Sequence, residues 1–371
     1  MRILEVEVFG RGGLAHYVNN LSQALAGRGH SVWLATGARY ELEGRTDLPS
    51  NLQIVQLTAR STGKFSDANT GIWFRARRRI EALSDAVAVA RLARRLKPDV
   101  IHLHNTNSVA LVYMRLFRLL RRPLAYTAHV VTPHEPMRLE RAIWGAIHGA
   151  ADLVVAHSEF DRRRLQEEFG LPADRIEVIP HGEYGFFERS SPAVPRQEAR
   201  RSLGLGPDDE VALFFGYIRE YKGLDLLLEA WPEVARARPQ SRLMVVGDPV
   251  QLSQERLAEL RTWAERVDAL HRFEYIPFSE VNRYFSAADV LVMPYRRISQ
   301  SGVLFLALSL GVPVVATRVG GLPEMLRDGL DALLVEPGTT TPLAEALVRV
   351  LGDPSLRASL AELGRRLAEQ Y

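Results

Sequence analysis

The feature that most limits the fold is a series of short apolar runs, each followed by a segment with helical spacing. In the first half of the chain these runs cover residues 3–9, 31–35, 100–103, 124–127 and 153–156. Strands with so little polar alternation are typical of a parallel sheet that helices cover on both faces. Because strands and helices alternate, the pattern predicts an α/β fold with a doubly wound parallel sheet.

The second half repeats this plan, with predicted strands at 211–215, 242–246, 290–294, 312–317 and 332–335. A chain of 371 residues is also longer than one ordinary domain. We therefore predict two domains, 1–189 and 209–371, joined by a linker at 190–208 that is rich in proline and arginine. Ligands of doubly wound sheets bind beyond the carboxyl ends of the strands, so we expect a site in a cleft that both domains face.

The composition excludes several kinds of site. The chain has no cysteine, which excludes disulfides, iron–sulfur clusters and thiolate zinc sites. No apolar run approaches the about 20 residues needed to span a bilayer, and the start of the chain does not read as a signal peptide, so we expect a cytoplasmic protein. An excess of basic residues in the first half favours an anionic partner, either a phosphate or a membrane surface. No nucleic-acid-binding motif is found.

Residues 60–80 form a polar, glycine-containing stretch without clear periodicity. We predict a loop that ends at the basic start of a helix. Long loops are often functional, but plain disorder fits the same composition.

A glycine-rich turn, Gly10 to Gly13, lies between the first predicted strand and the first predicted helix. Glycines such as Gly12 and Gly13 let the backbone approach a ligand closely, and a helix N-terminus presents free N–H groups to an anion. A tight turn with no ligand explains the same residues.

Two cations follow the first strand of the second half. The segment FFGYIREYKG ends this strand, carries Arg219 and Lys222, and leads into a helix near Gly223. Arginine donates paired hydrogen bonds to phosphate and lysine supplies a point charge, so this pair favours a diphosphate ligand. The alternative is that both side chains point into solvent, as most surface cations do.

The segment 293–324 is the most informative part of the chain. Here a strand and a polar loop lead into a helix that is apolar all round and therefore predicted to be buried. Ser301 can cap this helix, and the backbone N–H groups of Gly302, Val303 and Leu304 are then placed to bind a phosphate. A buried helix N-terminus needs a partner for these groups, which a diphosphate, water or a side-chain cap would each provide.

Seven segments form a pattern that runs in order along the whole chain. They are GGLAHYVNNLSQALAGRGHSV, DVIHLHN, YTAHVVTPHE, HSEFDRRRL with VIPHG, FFGYIREYKGLDLLLEA, FSAADVLVMPY and GVPVVATRVGGLPEML. In order and spacing they resemble the retaining glycosyltransferases of family four, also described as group 1 glycosyl transferases, which have the GT-B fold. No single segment is decisive, but seven in order are highly specific.

This resemblance implies two doubly wound domains that face each other across a cleft. The C-terminal domain would hold a nucleotide-sugar donor, a UDP-sugar or a GDP-sugar, and the N-terminal domain would bind the acceptor. No metal and no cofactor is expected, because cations and helix dipoles would neutralise the leaving diphosphate. His129 would lie beside the transferred sugar, unless it is a structural histidine, and Gly12 and Gly13 would let the first domain close on the donor.

The chain departs from the family pattern in its acidic residues. Family four usually has two glutamates separated by seven residues, and the aligned positions here are Ile298 and Leu306. Leucine cannot accept a hydrogen bond from ribose, so ribose binding must differ or be absent. We expect Gln300 or Ser301 to replace part of the sugar contact.

Two further departures concern the phosphate loop and the C-terminus. Tyr217 stands where the family usually has a phosphate-binding arginine, and Arg219 lies two residues further on. The chain stops at Tyr371, where the family usually continues into a helix that crosses back to the first domain. We expect Arg219 to reach the same diphosphate from the same loop.

Several histidines lie near the predicted strand ends of the first half. His102 and His104 alternate along one strand, and His104 is the better candidate for the acceptor side. A zinc site of these two with His129 is conceivable, but no cysteine and no obvious carboxylate completes it, so we predict no metal. The others are predicted to be structural: His134, His157 and His181.

Two predicted helices carry basic clusters, Arg91, Arg94, Arg95 and Lys97 in one and Arg115, Arg118, Arg121 and Arg122 in the other. A covering helix with a solvated face explains both clusters. Docking on anionic lipid, close to a lipid-linked acceptor, is the other explanation.

Together these features predict a retaining, metal-independent glycosyltransferase that moves a hexose-type sugar from a nucleoside diphosphate to an acceptor. UDP is the expected donor nucleotide, and the acceptor is a glycan, a lipid-linked molecule or a small molecule. The missing glutamates motivate one alternative, a non-catalytic nucleotide-sugar binder or a degenerate partner subunit. A GT-B epimerase acting on UDP-N-acetylhexosamine is a second alternative, but it requires acidic cleft residues that the motifs do not supply.

Overall fold

The chain folds into two compact units, Met1–His181 and Gly182–Tyr371. The computed structural model describes residues 1–43, 48–57, 72–104, 109–131, 138–182, 184, 187 and 194–371, without the side chains of 72–79 and 138–140. The division between the units lies a few residues before the linker predicted at 190–208. No helix among these described residues is long and apolar enough to cross a lipid bilayer.

The first unit is a parallel sheet with helices between its strands. The strands are β1 (Arg2–Val6), β2 (Ser31–Thr36), β3 (Leu52–Gln56), β4 (Val100–Leu103), β5 (Leu124–Thr127), β6 (Leu153–Ala156) and β7 (Ile176–Val178). The helices are α1 (Gly12–Gly27), α2 (Ile72–Leu96), α3 (Ala110–Arg118), α4 (Arg138–Ala150) and α5 (Glu159–Phe169). Among the described residues the strand order is β3-β2-β1-β4-β5-β6-β7, and every pairing is parallel.

The sequence explains how these elements begin and end. In β1, Leu4 and Val6 are fully buried and belong to the apolar core of the unit. Helix α5 begins after Ser158, whose hydroxyl accepts a hydrogen bond from the backbone N–H of Asp161 at 3.1 Å. It ends at Gly170, which adopts the left-handed conformation, with φ of +65°, that favours glycine.

The second unit repeats the architecture with a smaller sheet. Its strands are β8 (Glu210–Phe215), β9 (Ser241–Val246), β10 (Leu270–Arg272), β11 (Val290–Met293), β12 (Val314–Thr317) and β13 (Leu333–Val335). Its helices are α6 (Arg196–Ser202), α7 (Leu224–Ala237), α8 (Gln254–Arg266), α9 (Phe278–Ala287), α10 (Gly302–Ser309), α11 (Leu322–Met325), α12 (Thr341–Gly352) and α13 (Pro354–Ala368). Within the described part of the unit the order is β10-β9-β8-β11-β12-β13, again all parallel.

The predicted α/β fold with two doubly wound parallel sheets is confirmed. The strands that the sequence pattern did not predict are β3, β7 and β10, and each lies at the edge of its sheet. Each of these three strands exposes part of its side chains, so its sequence lacks a continuous apolar run. The prediction of a loop at 60–80 lies outside the described residues as far as position 71, and α2 begins at Ile72.

Helix α6 lies inside the segment predicted as a linker, but it packs on the second unit. Arg200 is only 3% exposed, and its Nη2 atom donates to the Asp289 carboxylate at 2.8 Å. The same carboxylate accepts the backbone N–H of Val211, the second residue of β8, at 2.7 Å and also pairs with Arg196. This buried ion pair ties α6 to the start of the central strand. Residues 188–193 lie outside the described part of the chain.

Candidate functional site

The loop after β8 carries a buried lysine. A short 3-10 turn, Glu220–Lys222, follows Arg219, and Gly223 in the left-handed conformation begins α7. Lys222 is 6% exposed, and its Nζ atom lies 5.2 Å from the centre of the Tyr295 ring. Burial lowers the pKa of Lys222 to about 7, and the positive charge of Arg219 contributes to this lowering. The two cations are therefore close enough to repel each other.

Among the described residues neither Arg219 nor Lys222 forms an ion pair with a carboxylate. The Arg219 guanidinium lies 5.9 Å from the centre of the Tyr217 ring, and its Nε atom is buried without a hydrogen-bond partner. Two neighbouring cations, one of them buried and neither neutralised, destabilise a protein unless an anion binds between them. This loop therefore has the charge arrangement of an anion site.

The N-terminus of α10 lies beside this loop. A Cβ atom on Gly216 would lie 3.1 Å from the Val303 side chain and 3.3 Å from Lys222 Nζ. Gly216 itself has φ of +101°, and Gly247 packs so closely that a Cβ atom there would lie 1.8 Å from the Gly216 carbonyl oxygen. The end of β8, the lysine and the first turn of α10 thus converge on one point, where only glycines leave the necessary space.

The first turn of α10 has fewer free N–H groups than the sequence suggests. Ser301 is the N-cap residue, but its hydroxyl bonds to Tyr295 and does not cap the helix. The N–H of Leu304 donates to the Ser301 carbonyl oxygen at 3.0 Å, so this predicted phosphate contact is already used. Gly302 and Val303 remain, because the first N–H groups of a helix have no partner inside it.

The glycine turn of the first unit is already occupied by a carboxylate. The N–H of Gly12, at the start of α1, donates to Glu41 Oε2 at 3.0 Å, and the same oxygen lies 3.0 Å from His16 Nε2. The N-terminus of this helix is thus neutralised from within the unit, so an incoming phosphate would have to displace Glu41. A Cβ atom on Gly13 would meet nothing within 4 Å, so close packing does not require glycine there.

A row of buried side chains begins at Glu5 in β1. The Nε2 atom of His104 lies 2.6 Å from the Glu5 carboxylate, and its Nδ1 atom lies 3.3 Å from His129 Nε2. His129 Nδ1 lies 3.3 Å from His157 Nε2, and His157 Nδ1 lies 2.9 Å from the Ile179 carbonyl oxygen. We call Glu5, His104, His129 and His157 the histidine row. Both ring nitrogens of His129 are engaged in it, and the residue is 8% exposed.

Charge in the histidine row is set by burial and by the short contact to Glu5. Burial opposes ionisation of Glu5, but His102 and His104 outweigh it and lower the pKa of Glu5 to about 2. Burial lowers the pKa of His104 and of His157 to about 4. Burial and the neighbouring histidines lower the pKa of His129 well below its ordinary value. At neutral pH the row therefore holds one carboxylate and three neutral imidazoles.

Glu5, His102 and His104 also bring three metal-ligand atoms within 4.8 Å of one another. The sequence motifs did not identify the Glu5 carboxylate as a possible zinc ligand. However, Glu5 Oε2 lies 2.6 Å from His104 Nε2, whereas two ligands of one tetrahedral zinc ion lie about 3.3 Å apart. The short distance is that of a hydrogen bond, so the geometry fits a shared proton and not a coordinated metal.

Comparison with known proteins places the two units in one family. The family model described as Glycosyltransferase Family 4 matches residues 11–182, and the one described as Glycosyl transferases group 1 matches 209–353. A D-inositol 3-phosphate glycosyltransferase of Acidothermus cellulolyticus is 31% identical over 373 residues, covering 94% of this chain and 80% of the relative. The chain belongs to glycosyltransferase family 4.

A second relative and a solved structure complete the comparison. A D-inositol 3-phosphate glycosyltransferase of Segniliparus rotundus is 31% identical over 66% of this chain, and the chain spans only 57% of that relative. The crystal structure of Anabaena HepE in complex with UDP and glucose matches with a TM-score of 0.77 and 21% identity, covering 100% of this chain and 95% of that one. At that identity the match shows the fold alone, which confirms the predicted GT-B fold.

The family 4 positions that usually carry glutamate, Ile298 and Leu306, are apolar in this chain. Leu306 is 5% exposed on α10. The carbonyl oxygen of Ile298 packs against Gly320, where a Cβ atom would lie 1.5 Å away. The polar group in this loop is Gln300, whose Oε1 atom is buried without a hydrogen-bond partner among the described residues. Gln300 therefore has an unsatisfied acceptor beside the first turn of α10.

Two residues of this family 4 chain, Glu5 and Tyr17, join the site without having been predicted from the sequence. The Tyr17 ring of α1 lies 4.8 Å from His129 and 4.7 Å from His181, measured between ring centres. For Glu5 the sequence does contain a signal, since Glu5 and Glu7 alternate in the otherwise apolar run 3–9. Ionisable residues in a buried strand are rare unless they are paired. The partner histidines are about a hundred residues away in sequence, so only the fold reveals them.

Proposed function

We propose that this chain is a retaining glycosyltransferase that moves a hexose-type sugar from a UDP-sugar to a small-molecule, glycan or lipid-linked acceptor. The observation that carries the proposal is the pair Arg219 and Lys222, two cations that have no acidic partners among the described residues and lie beside the N-terminus of α10. A nucleoside diphosphate supplies the missing negative charge, and stabilisation of the diphosphate as it leaves is the main catalytic contribution.

Each candidate residue has a role in this proposal. Arg219 and Lys222 bind the diphosphate together with the backbone N–H groups of Gly302 and Val303. The amide oxygen of Gln300 accepts a hydrogen bond from a donor hydroxyl, in place of part of the missing glutamate contacts. These protein cations and helix N–H groups make a metal ion unnecessary for neutralising the leaving group.

His129 is proposed to lie beside the transferred sugar. Because both of its ring nitrogens already have neighbours, a sugar hydroxyl can bond to the ring only where a contact in the histidine row opens. The structurally similar HepE binds UDP and glucose, which supports UDP as the donor nucleotide. The similarity to D-inositol 3-phosphate glycosyltransferases supports a phosphorylated polyol, inositol 3-phosphate, as the first acceptor to test.

The decisive experiment measures UDP-glucose binding by calorimetry in a double variant, Arg219→Ala with Lys222→Ala. Hydrogen bonds to charged groups contribute about 2 kcal/mol each, so the loss of two is expected to lower the affinity by a factor of about 1,000. A matched control, Arg242→Ala with Arg349→Ala, removes two exposed cations elsewhere in the same unit. Unchanged binding in the first variant, or equal loss in both, would contradict the assignment of the site.

Turnover separates the enzyme from the non-catalytic binder. The wild-type protein is incubated with UDP-glucose, with and without inositol 3-phosphate and a panel of sugar acceptors, and UDP release is followed. The anomeric configuration of the product, read by NMR, tests retention. Tight donor binding without hydrolysis or transfer across the whole panel would support the binder.

We also propose peripheral contact with anionic membranes through α2. Three exposed apolar residues, Ile80, Leu83 and Val87, form a stripe on this helix, and exposed Arg91 and Arg94 continue it. Apolar side chains followed by cations are typical of helices that lie at a lipid surface. The protein is expected to sediment with anionic vesicles at low salt and to be released as salt increases, and absence of binding at low salt would refute the proposal.

A further inference from the structure

Hydrogen-bond acceptors flank the three histidines of the row, Glu5 on one side and the Ile179 carbonyl oxygen on the other. The carbonyl oxygen of Ile179 can only accept, so His157 Nδ1, at 2.9 Å, must carry a proton. The ionised carboxylate of Glu5 also accepts, so His104 Nε2, at 2.6 Å, must carry a proton as well. The two outer histidines therefore have their single N–H directed away from the centre of the row.

A proton count shows what this does to the middle of the row. A neutral imidazole has one N–H and one lone pair. With their protons at the ends, His104 Nδ1 and His157 Nε2 both present lone pairs to His129, each at 3.3 Å. Neutral His129 can donate to only one of them, so on its other side two lone pairs face each other. The unmatched contact of the row therefore lies at His129.

We propose that Glu5 is a positioning residue for His129: acting through His104, it fixes the tautomers of the row so that both neighbouring rings present lone pairs to His129. The next proton from solvent then enters between two facing lone pairs at His129, on either of the two rings that share the contact. The resulting imidazolium donates on both sides and satisfies all four contacts of the row. The charge of the row changes from minus one to zero.

Other titratable groups face His129 from the surrounding elements. They are Tyr17 of α1, His102 of β4 and His181, which follows β7. Burial raises the pKa of Tyr17, so this group stays neutral. His102 lies 2.8 Å from the Thr127 hydroxyl and 3.2 Å from Glu5. His102 is a second neighbour of Glu5 outside the row, so it does not change the number of protons shared along the row.

The substitution Glu5→Gln makes the proposal sharply testable. The amide oxygen of glutamine can accept from His102, and its NH₂ group can donate to His104 Nε2. His104 is then free to donate from Nδ1 to His129, which donates to His157. All contacts are satisfied by neutral rings. We therefore expect the N–H of His104 to move from Nε2 to Nδ1, and the unmatched contact at His129 to disappear.

The experiment is a two-bond ¹H–¹⁵N correlation spectrum of the full chain labelled at histidine, recorded during an acid titration. Ring-nitrogen shifts distinguish the two neutral tautomers from the imidazolium, and single His→Gln variants assign the signals. In the wild type at neutral pH we expect His104 to carry its single proton on Nε2 and His157 to carry its single proton on Nδ1. Glu7→Gln, a buried carboxylate of the same segment that accepts from Phe9, Gly10 and Thr36, is the control and should leave the His104 tautomer unchanged.

Three results would overturn the proposal: wild-type His104 protonated on Nδ1 at neutral pH, wild-type His157 protonated on Nε2 at neutral pH, or an unchanged His104 tautomer in Glu5→Gln. The wild-type spectrum decides the matter even where the variant does not fold. The link to catalysis rests on the proposed function, which places His129 beside the sugar. None of these readouts needs a donor, so an inactive protein with the expected tautomers would contradict the proposed function alone.

Discussion

The amine of Lys222 is buried and has no acidic partner among the described residues. Its charge, and with it the binding of a ligand, is therefore expected to depend on pH. Burial lowers its pKa to about 7, so the free site loses its ammonium charge as the pH rises through that value. Binding a diphosphate requires the charged form. We expect the affinity for UDP-glucose, measured by calorimetry, to fall about tenfold between pH 6 and pH 8.

The sugar nucleotide is preferred to UDP in this measurement because its diphosphate has no group that titrates in the range. Lys222→Arg is the control, since a guanidinium stays charged throughout. Its affinity should not change over the same interval. If wild type and Lys222→Arg show the same pH dependence, the lysine is not the titrating group.

At the level of elements, the loop before α10 depends on a close approach at Gly320. A Cβ atom there would lie 1.5 Å from the Ile298 carbonyl oxygen, and the residue has φ of +59°. Gly338 shares the left-handed conformation, with φ of +83°, but has nothing within 4 Å. Gly338→Ala should therefore cost only the conformational strain of about 1–2 kcal/mol.

Gly320→Ala adds a steric clash to the same strain, so we expect it to lower the free energy of unfolding by about 2 kcal/mol more than Gly338→Ala. Urea unfolding of both variants gives the comparison. Equal losses would mean that the loop relaxes away from Gly320 without cost.

How much could be predicted from sequence also differs between elements. Interior strands such as β4, β5 and β6 are short runs of mainly apolar residues, and their predicted limits agree with the structure. The burial of α10 follows in the same way from its continuous apolar sequence. A local sequence pattern does not show which distant residue a side chain will contact. The Gly12 amide is bound by Glu41, and Glu5 is paired with His104, contacts that only the folded sheet brings about.

The whole molecule carries several buried histidines whose pKa values lie below those of the unfolded chain. Burial lowers the pKa of His104, His148 and His157 to about 4 in each case. The unfolded chain therefore binds more protons below about pH 6.5, and stability is lost as the pH falls from that value towards 4. Glu7 acts in the opposite direction, because burial raises its pKa to about 7. The contribution of this one carboxyl group to the pH dependence of stability is smaller than the sum for the three histidines.

His148 tests this account outside the histidine row. Its Nε2 atom bonds to the Val131 carbonyl oxygen, and its other ring nitrogen has no partner among the described residues. Between pH 6.5 and pH 4.5 we expect His148→Gln to lose about 2–3 kcal/mol less stability than the wild type. Urea unfolding at both pH values measures the difference, and parallel losses would show that His148 does not titrate on unfolding.

The anchoring of α6 by Asp289 has a consequence for recombination within the family. An exchange of halves between relatives that joined them at residue 209 would separate Arg196 and Arg200 from the carboxylate they neutralise. The buried Asp289 carboxylate would then be neutralised only if the foreign half supplied a cation at the same place. A crossover placed before Arg196 transfers the helix together with its counter-charge. The natural boundary for building hybrid enzymes therefore lies upstream of the point where the sheet of the second unit begins.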